Sequence, residues 1–375
     1  MNRKEVNEIK SQYTLEECGI LRLSGCYVNG ENEKVAQFNQ TFLNLPNEEK
    51  HKYFDIFKKV LSGKLGKNIM DMHFMEDSYA DDGGRTFLYE LRDSGLKDEK
   101  MLEKFYDKVI ESYNYIGNYL ILLINQVYDV PGRTSDGIDM EDASDEVYSY
   151  LLCCICHVSL SKPGLGYFEE DNSFHDQKQN HVVDMPDIGF LFPAFNDRSE
   201  DGDSVLYYSK KTDDSQEDFI NTVLQCELPI PADNQKQVFQ AMLEETLGED
   251  CSYETVKSIH ENLNEMIEEQ KSGPEPVALD KNDMKNLLEK SGVKEDHLQN
   301  FEEHFEQEVG EDTKLLAANI IETRKFEVKT PDVVVKVNPK RSDLIDTMEI
   351  NGRKCLVIQI DDNLMVNGVL VNTER

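Results

Sequence analysis

The chain has 375 residues, with 40 Lys+Arg against 74 Asp+Glu and a formal net charge of −34. Its 39% of hydrophobic residues can bury a sizeable core, which argues against wholesale disorder, while a surface this acidic repels phosphate backbones and anionic lipid over most of its area. The opening MNRKEVNEIK has no apolar run behind its charges and does not read as a signal peptide; the most apolar stretches, 119–124 and 151–160, fall short of the ~18 uncharged residues of a membrane helix.

Val6, Ile9 and Tyr13 have the spacing of a short opening helix. Residues 19–28 and 34–43 read as paired strands joined around Asn29-Gly30, a dipeptide that accepts the positive φ of a tight hairpin turn. A helix is predicted over 47–61, with Asn47 as its cap, Glu48 and Glu49 suited to its N-terminal dipole, and Gly63 past its end. Met70, Met72 and Phe74 alternate as a strand, followed by an acidic loop over 76–84 and helices over 86–94 and 98–116. The stretches 118–130 and 147–160 are strand-like and nearly uncharged, and the polar segment 131–146 separates them, which predicts two buried strands of one sheet. Further strands fit 188–195 and 205–209, and helices on one face of the sheet would be the economical packing.

From Ser215 the pattern turns helical. Helices are predicted over 232–247, ending before Gly248, and over 252–271, ending before Gly273. Gly273-Pro274-Glu275-Pro276 reads as a short stiff linker, then come helices over 281–290, capped by Asp280, and 295–309. After Glu322 the period returns to two in Val333, Val335 and Val337, then in 347–350 and 354–360 around Asn351-Gly352. Charge follows the same divisions: 221–324 carries 9 basic and 24 acidic side chains, 325–375 carries 8 of each. The expected fold class is α+β, with a mixed α/β core domain over 1–225, an acidic helical section over 226–324 and a small β unit over 325–375.

Four clusters bear chemistry-capable residues. Cys153 and Cys156 have the spacing of a zinc knuckle, with Cys154 between them and His157 after. Strand alternation instead puts Cys154 and Cys156 on one face and Cys153 and His157 on the other, and no turn residue is present, so buried core thiols are the expectation. Asp197, Ser199, Asp201 and Asp203 resemble the first half of a calcium loop, but position twelve is Tyr208 instead of a closing Glu, which favours a polar hairpin turn. Glu169, Glu170, Asp171, His175, Asp176, His181 and Asp184 crowd carboxylates and imidazoles into what reads as a solvated loop. Finally, Lys336, Lys340, Arg341, Arg353 and Lys354 form a modest basic group in the neutral C-terminal unit, the candidate docking patch.

No catalytic set, metal site or cofactor motif stands out: Gly66-Lys67 lacks the remainder of a phosphate loop, and His260-Glu261 lacks the second histidine of a zinc helix. Eight cysteines are too sparse for a disulfide scaffold, so reduced thiols in the cytoplasm are expected. The leading expectation is a non-enzymatic binding or regulatory protein whose partner is another protein, with no membrane. One alternative is nucleic acid met by the C-terminal unit, disfavoured by net charge; another is an enzyme using the 169–203 region, for which His181, Asp184 and Asp197 would have to converge.

GNYLILL (117–123), YLLCCIC (150–156), LSKPGLGY (160–167), PDIGFLFPAFNDRS (186–199), TPDVVVKVNP (330–339) and VNGV (366–369) resemble a bacterial domain-of-unknown-function family of about this length. The resemblance covers most of the chain and implies no activity or site residue. In layout, the apolar pair GNYLILLI and YSYLLCCI and the ending of 276–309 before 330–360 are also similar to the bacterial thirty-seven-kilodalton nucleoid-associated proteins, which would imply contact with nucleic acid.

Overall fold

The computed structural model describes residues 1–133, 139–170, 172–176, 178–228, 230–271, 273–310, 313–360 and 364–371. It divides into two compact units, Met1–Pro231 and Ala232–Arg375.

In chain order the first unit contains α1 (Arg3–Ser11), β1 (Ile20–Val28), β2 (Lys34–Thr41), α2 (Asn47–Val60), β3 (Ile69–His73), α3 (Gly84–Asp93), α4 (Glu99–Ser112), β4 (Tyr119–Arg133), β5 (Asp139–Leu160), β6 (Leu165–Phe168), β7 (Ser173–Asp176), β8 (His181–Phe192), β9 (Ala194–Asn196), β10 (Ser199–Asp201), β11 (Ser204–Ser209) and a short α5 (Glu217–Phe219) that runs into a π turn over Ile220–Leu224. Local chemistry accounts for the helix starts. Asn2 and Glu5 make a reciprocal capping box on α1, and Asp98 accepts from the backbone N–H groups of Lys100 and Met101 to open α4. For α2 the expected cap is displaced by one residue: Pro46 stands at the N-cap with no side-chain bond, and Asn47 is already helical.

Seven strands form one antiparallel sheet in the order β2-β1-β4-β5-β8-β11-β3. In the β1–β2 turn the positive φ falls on Asn32, not on Gly30. Helices cover both faces of the sheet, a correction to the one-sided packing expected. Leu151, Cys153, Ile155, Phe190 and Phe192 share a core with α3, α4 and the 219–224 turn. Leu152, Cys154, Cys156 and Leu191 share the other core with α1 and α2. A strand buried on both sides has no solvent face on which to place charge, which explains why 118–130 and 147–160 read as nearly continuous apolar runs.

Pairing of β5 with β8 slips where Cys156 meets Pro186. Alternation from Ile188 would aim Asp187 at the α1–α2 side; instead its carboxylate reaches Tyr113, on the α3–α4 side. Re-aiming a side chain is the usual consequence of such a bulge. The stretch expected to be a solvated loop, 169–184, holds β7, paired to β6, and the start of β8.

The second unit contains α6 (Ala232–Leu247), α7 (Tyr253–Glu269), β12 (Ala278–Leu279), α8 (Lys281–Lys290), α9 (Glu295–Glu308), β13 (Leu315–Leu316), α10 (Ala317–Ile320), β14 (Phe326–Lys329), β15 (Val334–Val337), β16 (Ile345–Ile350), β17 (Arg353–Ile358), β18 (Leu364–Val366) and β19 (Val369–Val371). Ser252 caps α7, and Asp280 with Asp283 makes a capping box on α8. Phe239, Met242, Ile259, Leu263, Met284, Leu288, Phe301 and Phe305 are buried at the helix contacts. The last six strands are three two-stranded hairpins. Two of them are tied to α7: Phe326 of β14 packs its ring edge against His260, 5.8 Å between centroids, and Tyr253 donates its hydroxyl to Ile345 O at 2.9 Å.

Candidate functional site

A cavity of about 490 Å³ lies in the second unit, walled by α6, the first two turns of α7 and β14. Each wall follows from local periodicity. Tyr253, Val256, Lys257 and His260 occupy positions i, i+3, i+4 and i+7 of α7 and so share one face; Lys236 and Gln240 do the same on α6. On β14, Phe326 is buried, Val328 is half-buried, and Glu327 and Lys329 are exposed. Four lysines, Lys236, Lys257, Lys325 and Lys329, line the cavity against two glutamates, Glu322 and Glu327. The unit around it holds 17 basic and 31 acidic side chains, so the cavity inverts the sign of its surroundings.

Glu327 is engaged by Lys336 at 3.2 Å and by Lys325 at 3.5 Å, and these lysines hold its carboxyl below the ordinary range, Lys336 foremost. Lys257 donates to Ile345 O at 3.4 Å. Among the described residues Lys236 and Lys329 have no carboxylate within 4.0 Å, which leaves two ammonium groups for a ligand. Burial, and after it Lys236, keeps His260 below the ordinary imidazole value, so at neutral pH it contributes an uncharged aromatic wall beside Phe326. A second concavity along α4 is lined by Lys100, Glu103, Lys104, Asp107, Lys108 and Glu111; Glu103 and Asp107 pair with Lys34 of β2, and Lys104 and Lys108 lie over the Phe87 ring.

The five residues of the expected docking patch lie near this cavity in sequence but outside its lining. Lys336 is opposite Glu327 in the β14–β15 ladder, Lys340 meets Glu268 at 3.3 Å, and Arg341 meets Asp343 at 3.2 Å. Arg353 and Lys354 are exposed on β17. The lining lysines escaped sequence reading because they come from three separate segments. The signal present was the stripe 253-256-257-260, aromatic and basic within an otherwise acidic helix.

The other clusters are accounted for by packing. Cys153, Cys154 and Cys156 are fully buried on alternate faces of β5, and burial raises all three thiols well above their ordinary value. The 197–203 segment begins with the turn of the β9–β10 hairpin, made by Asp197 and Arg198 at φ 51° and 58°, and continues through β10. Its charges are spent on the fold: Arg198 grips Glu8 at 2.9 Å, Glu200 pairs with Arg92 at 2.7 Å, and Asp201 accepts from Asn196 at 2.6 Å. His181 and Asp184 sit at the start of β8, and Asp197 follows its far end; a 12-residue strand spans roughly 36 Å at ~3.3 Å per residue, so the three do not converge. Asp184 accepts from Ser159 at 3.0 Å.

One polar group escaped the sequence reading. Tyr113, at the end of α4, donates its hydroxyl to Asp187 at 3.0 Å and stands 2.8 Å from Nε2 of His157, whose imidazole is stacked on Tyr115 with 3.7 Å between ring centroids. With the hydroxyl hydrogen spent on Asp187, the contact to His157 places the imidazole proton on Nε2. Burial holds His157 below its ordinary value against the pull of Asp187, and raises Tyr113. This network closes the polar end of an apolar core.

No helix among the described residues is long and apolar enough to cross a membrane. Among proteins with curated descriptions, none matches the chain, and the layout similarity to nucleoid-associated proteins finds no support in the comparisons. A family model described as "Domain of unknown function (DUF4317)" matches residues 1–369, and the chain belongs to that family.

Proposed function

We propose that the chain is a non-enzymatic binding protein whose site is the lysine-lined cavity of the second unit, and that its ligand is anionic and belongs to a partner protein. The observation that carries the reading is the sign inversion: four lysines, two of them without a carboxylate partner among the described residues, gathered in a cavity of ligand size inside a strongly acidic unit. Charge that costs self-repulsion elsewhere here favours one sign of ligand and steers it to one place. The groups on the wall favour binding over catalysis. Burial, then Glu244, raises the Cys251 thiol, and burial, then Glu254, raises the Tyr253 hydroxyl, so neither is an activated nucleophile at neutral pH. The eight cysteines are unpaired, which fits a reducing compartment such as the cytoplasm.

Titration calorimetry with inorganic tripolyphosphate tests the reading on the full chain. Binding is expected at about 50 mM salt, weakening with added salt, and is lost in Lys236→Glu/Lys329→Glu. Absence of binding at low salt, or unchanged binding in the variant, would reject it.

A further inference from the structure

The backbone of β14 narrows the ligand class. Thr330 N donates to Val333 O at 2.8 Å and closes the turn between β14 and β15, so 330 and 333 form a hydrogen-bonded pair. The register then runs Lys329 with Val334, Val328 with Val335, Glu327 with Lys336 and Phe326 with Val337. In an antiparallel ladder hydrogen-bonded and non-hydrogen-bonded pairs alternate. Val328 and Phe326 therefore bond to β15, while the N–H and C=O groups of Glu327 and Lys329 point outward from the opposite edge. No strand among the described residues pairs that edge. The same four residues form one wall of the lysine-lined cavity.

We propose that the ligand is an extended acidic segment of a partner protein, which adds as a third strand to the outer edge of β14 and directs its carboxylates to Lys236 and Lys329. The proposal rests on the anion-binding reading above and deepens it. A compact anion can use the edge N–H groups but leaves the outward carbonyls facing negative charge; a peptide strand supplies a donor and an acceptor at each alternate residue and satisfies both. Charge complementarity fixes the sign of its side chains: the cavity holds four lysines against Glu322 and Glu327, an excess of two, and Glu327 is already paired with Lys325 and Lys336. The helical section 232–324, with 9 basic and 23 acidic side chains, repels an acidic segment, whereas at this edge the facing helices contribute Lys236 and Lys257 to the cavity.

The test uses the full chain and a fluorescein-labelled octapeptide of alternating Glu and Thr, followed by anisotropy, with tripolyphosphate as the reference anion. Two analogues carry N-methyl groups on alternate amides, one in each frame. Because only one set of amides can face the edge, one frame should weaken binding at least tenfold and the other should leave it within about threefold. Glu327→Pro removes one outward N–H, a place where an edge strand tolerates proline, and it is compared with Glu327→Ala, which loses the same carboxylate but keeps that N–H. Relative to Glu327→Ala it should weaken the octapeptide at least tenfold, while the two variants bind tripolyphosphate alike. Equal binding by both analogues and the parent peptide, or of the octapeptide by Glu327→Pro and Glu327→Ala, would overturn the strand-addition proposal while leaving the anion site standing. Failure of both octapeptide and tripolyphosphate to bind would remove the site itself.

Discussion

Replacing Gly189 by Ala probes the two-sided packing of the sheet. A Cβ built at Gly189 in β8 lies 2.5 Å from the carbonyl oxygen of Cys153 in β5, 2.8 Å from Cγ2 of Val60 in α2 and 3.1 Å from its Cγ1. Val60 can shift with its helix, but the carbonyl belongs to a strand held between β4 and β8 and has nowhere to move. Overpacking costs about 1–3 kcal/mol, and the clash with backbone places this change near about 3. For a unit of this size each kcal/mol moves the melting temperature by about 2–4 °C, so a fall of roughly 6–12 °C is expected. Near-ultraviolet circular dichroism isolates that unit, since the chain has no Trp and 15 of its 16 tyrosines lie within residues 1–231. Gly164→Ala is the control: nothing lies within 4 Å of its Cβ, and the melting temperature should stay within about 1 °C. Adding Val60→Ala to Gly189→Ala should restore only part of the loss, because the carbonyl contact remains. A melting temperature for Gly189→Ala matching that of Gly164→Ala would refute the packing argument.

Tyr113→Phe removes the one hydroxyl shared by Asp187 and His157, and should cost about 1–3 kcal/mol in a denaturant melt because a buried carboxylate loses its donor; a loss below about 0.5 kcal/mol would show that the network is not closed as drawn. Because His260 lies below its ordinary value of 6.5, the unfolded chain binds more protons than the folded one below that pH: its contribution is complete above pH 6.5 and is lost as pH falls through the folded value, with a slope of at most about 1.4 kcal/mol per pH unit. Denaturant midpoints of the full chain between pH 7.5 and 5 should fall less steeply in His260→Gln than in the wild type; parallel curves would contradict the assignment. Iodoacetamide on the native chain should label Cys18, Cys251 and Cys355, which retain exposure, and spare the five buried thiols, with well under one zinc per chain; stoichiometric zinc lost in Cys156→Ser would overturn the core reading of β5.

How far the sequence specifies this molecule depends on the range of the interactions. Caps are local, and Asp280 is legible because an oxygen side chain precedes an amphipathic run. The alternation of Cys153 against Cys154 and Cys156 was legible for the same reason, since a strand reverses face at each residue. The two-sided burial of the sheet is written in the unbroken apolar runs, but which helices cover each face is not, because a short apolar run does not identify its packing partners. The β6–β7 hairpin carries little hydrophobic alternation and sits among Asn, Gln and Asp, so composition masked it. Asp187 was missed because its role depends on a bulge, a slip between two strands that neither strand encodes alone. The cavity is the extreme case: Lys236, Lys257 and Lys329 lie on three elements, and only tertiary packing brings their charges to one place.

Amide hydrogen exchange across 325–330 of the full chain, with and without the alternating Glu-Thr octapeptide, tests the central claim most directly. The outward amides of Glu327 and Lys329 should exchange at least tenfold more slowly when the peptide is bound, while those of β18 and β19 are unchanged. Binding of the peptide with no change of exchange along β14 would contradict the account.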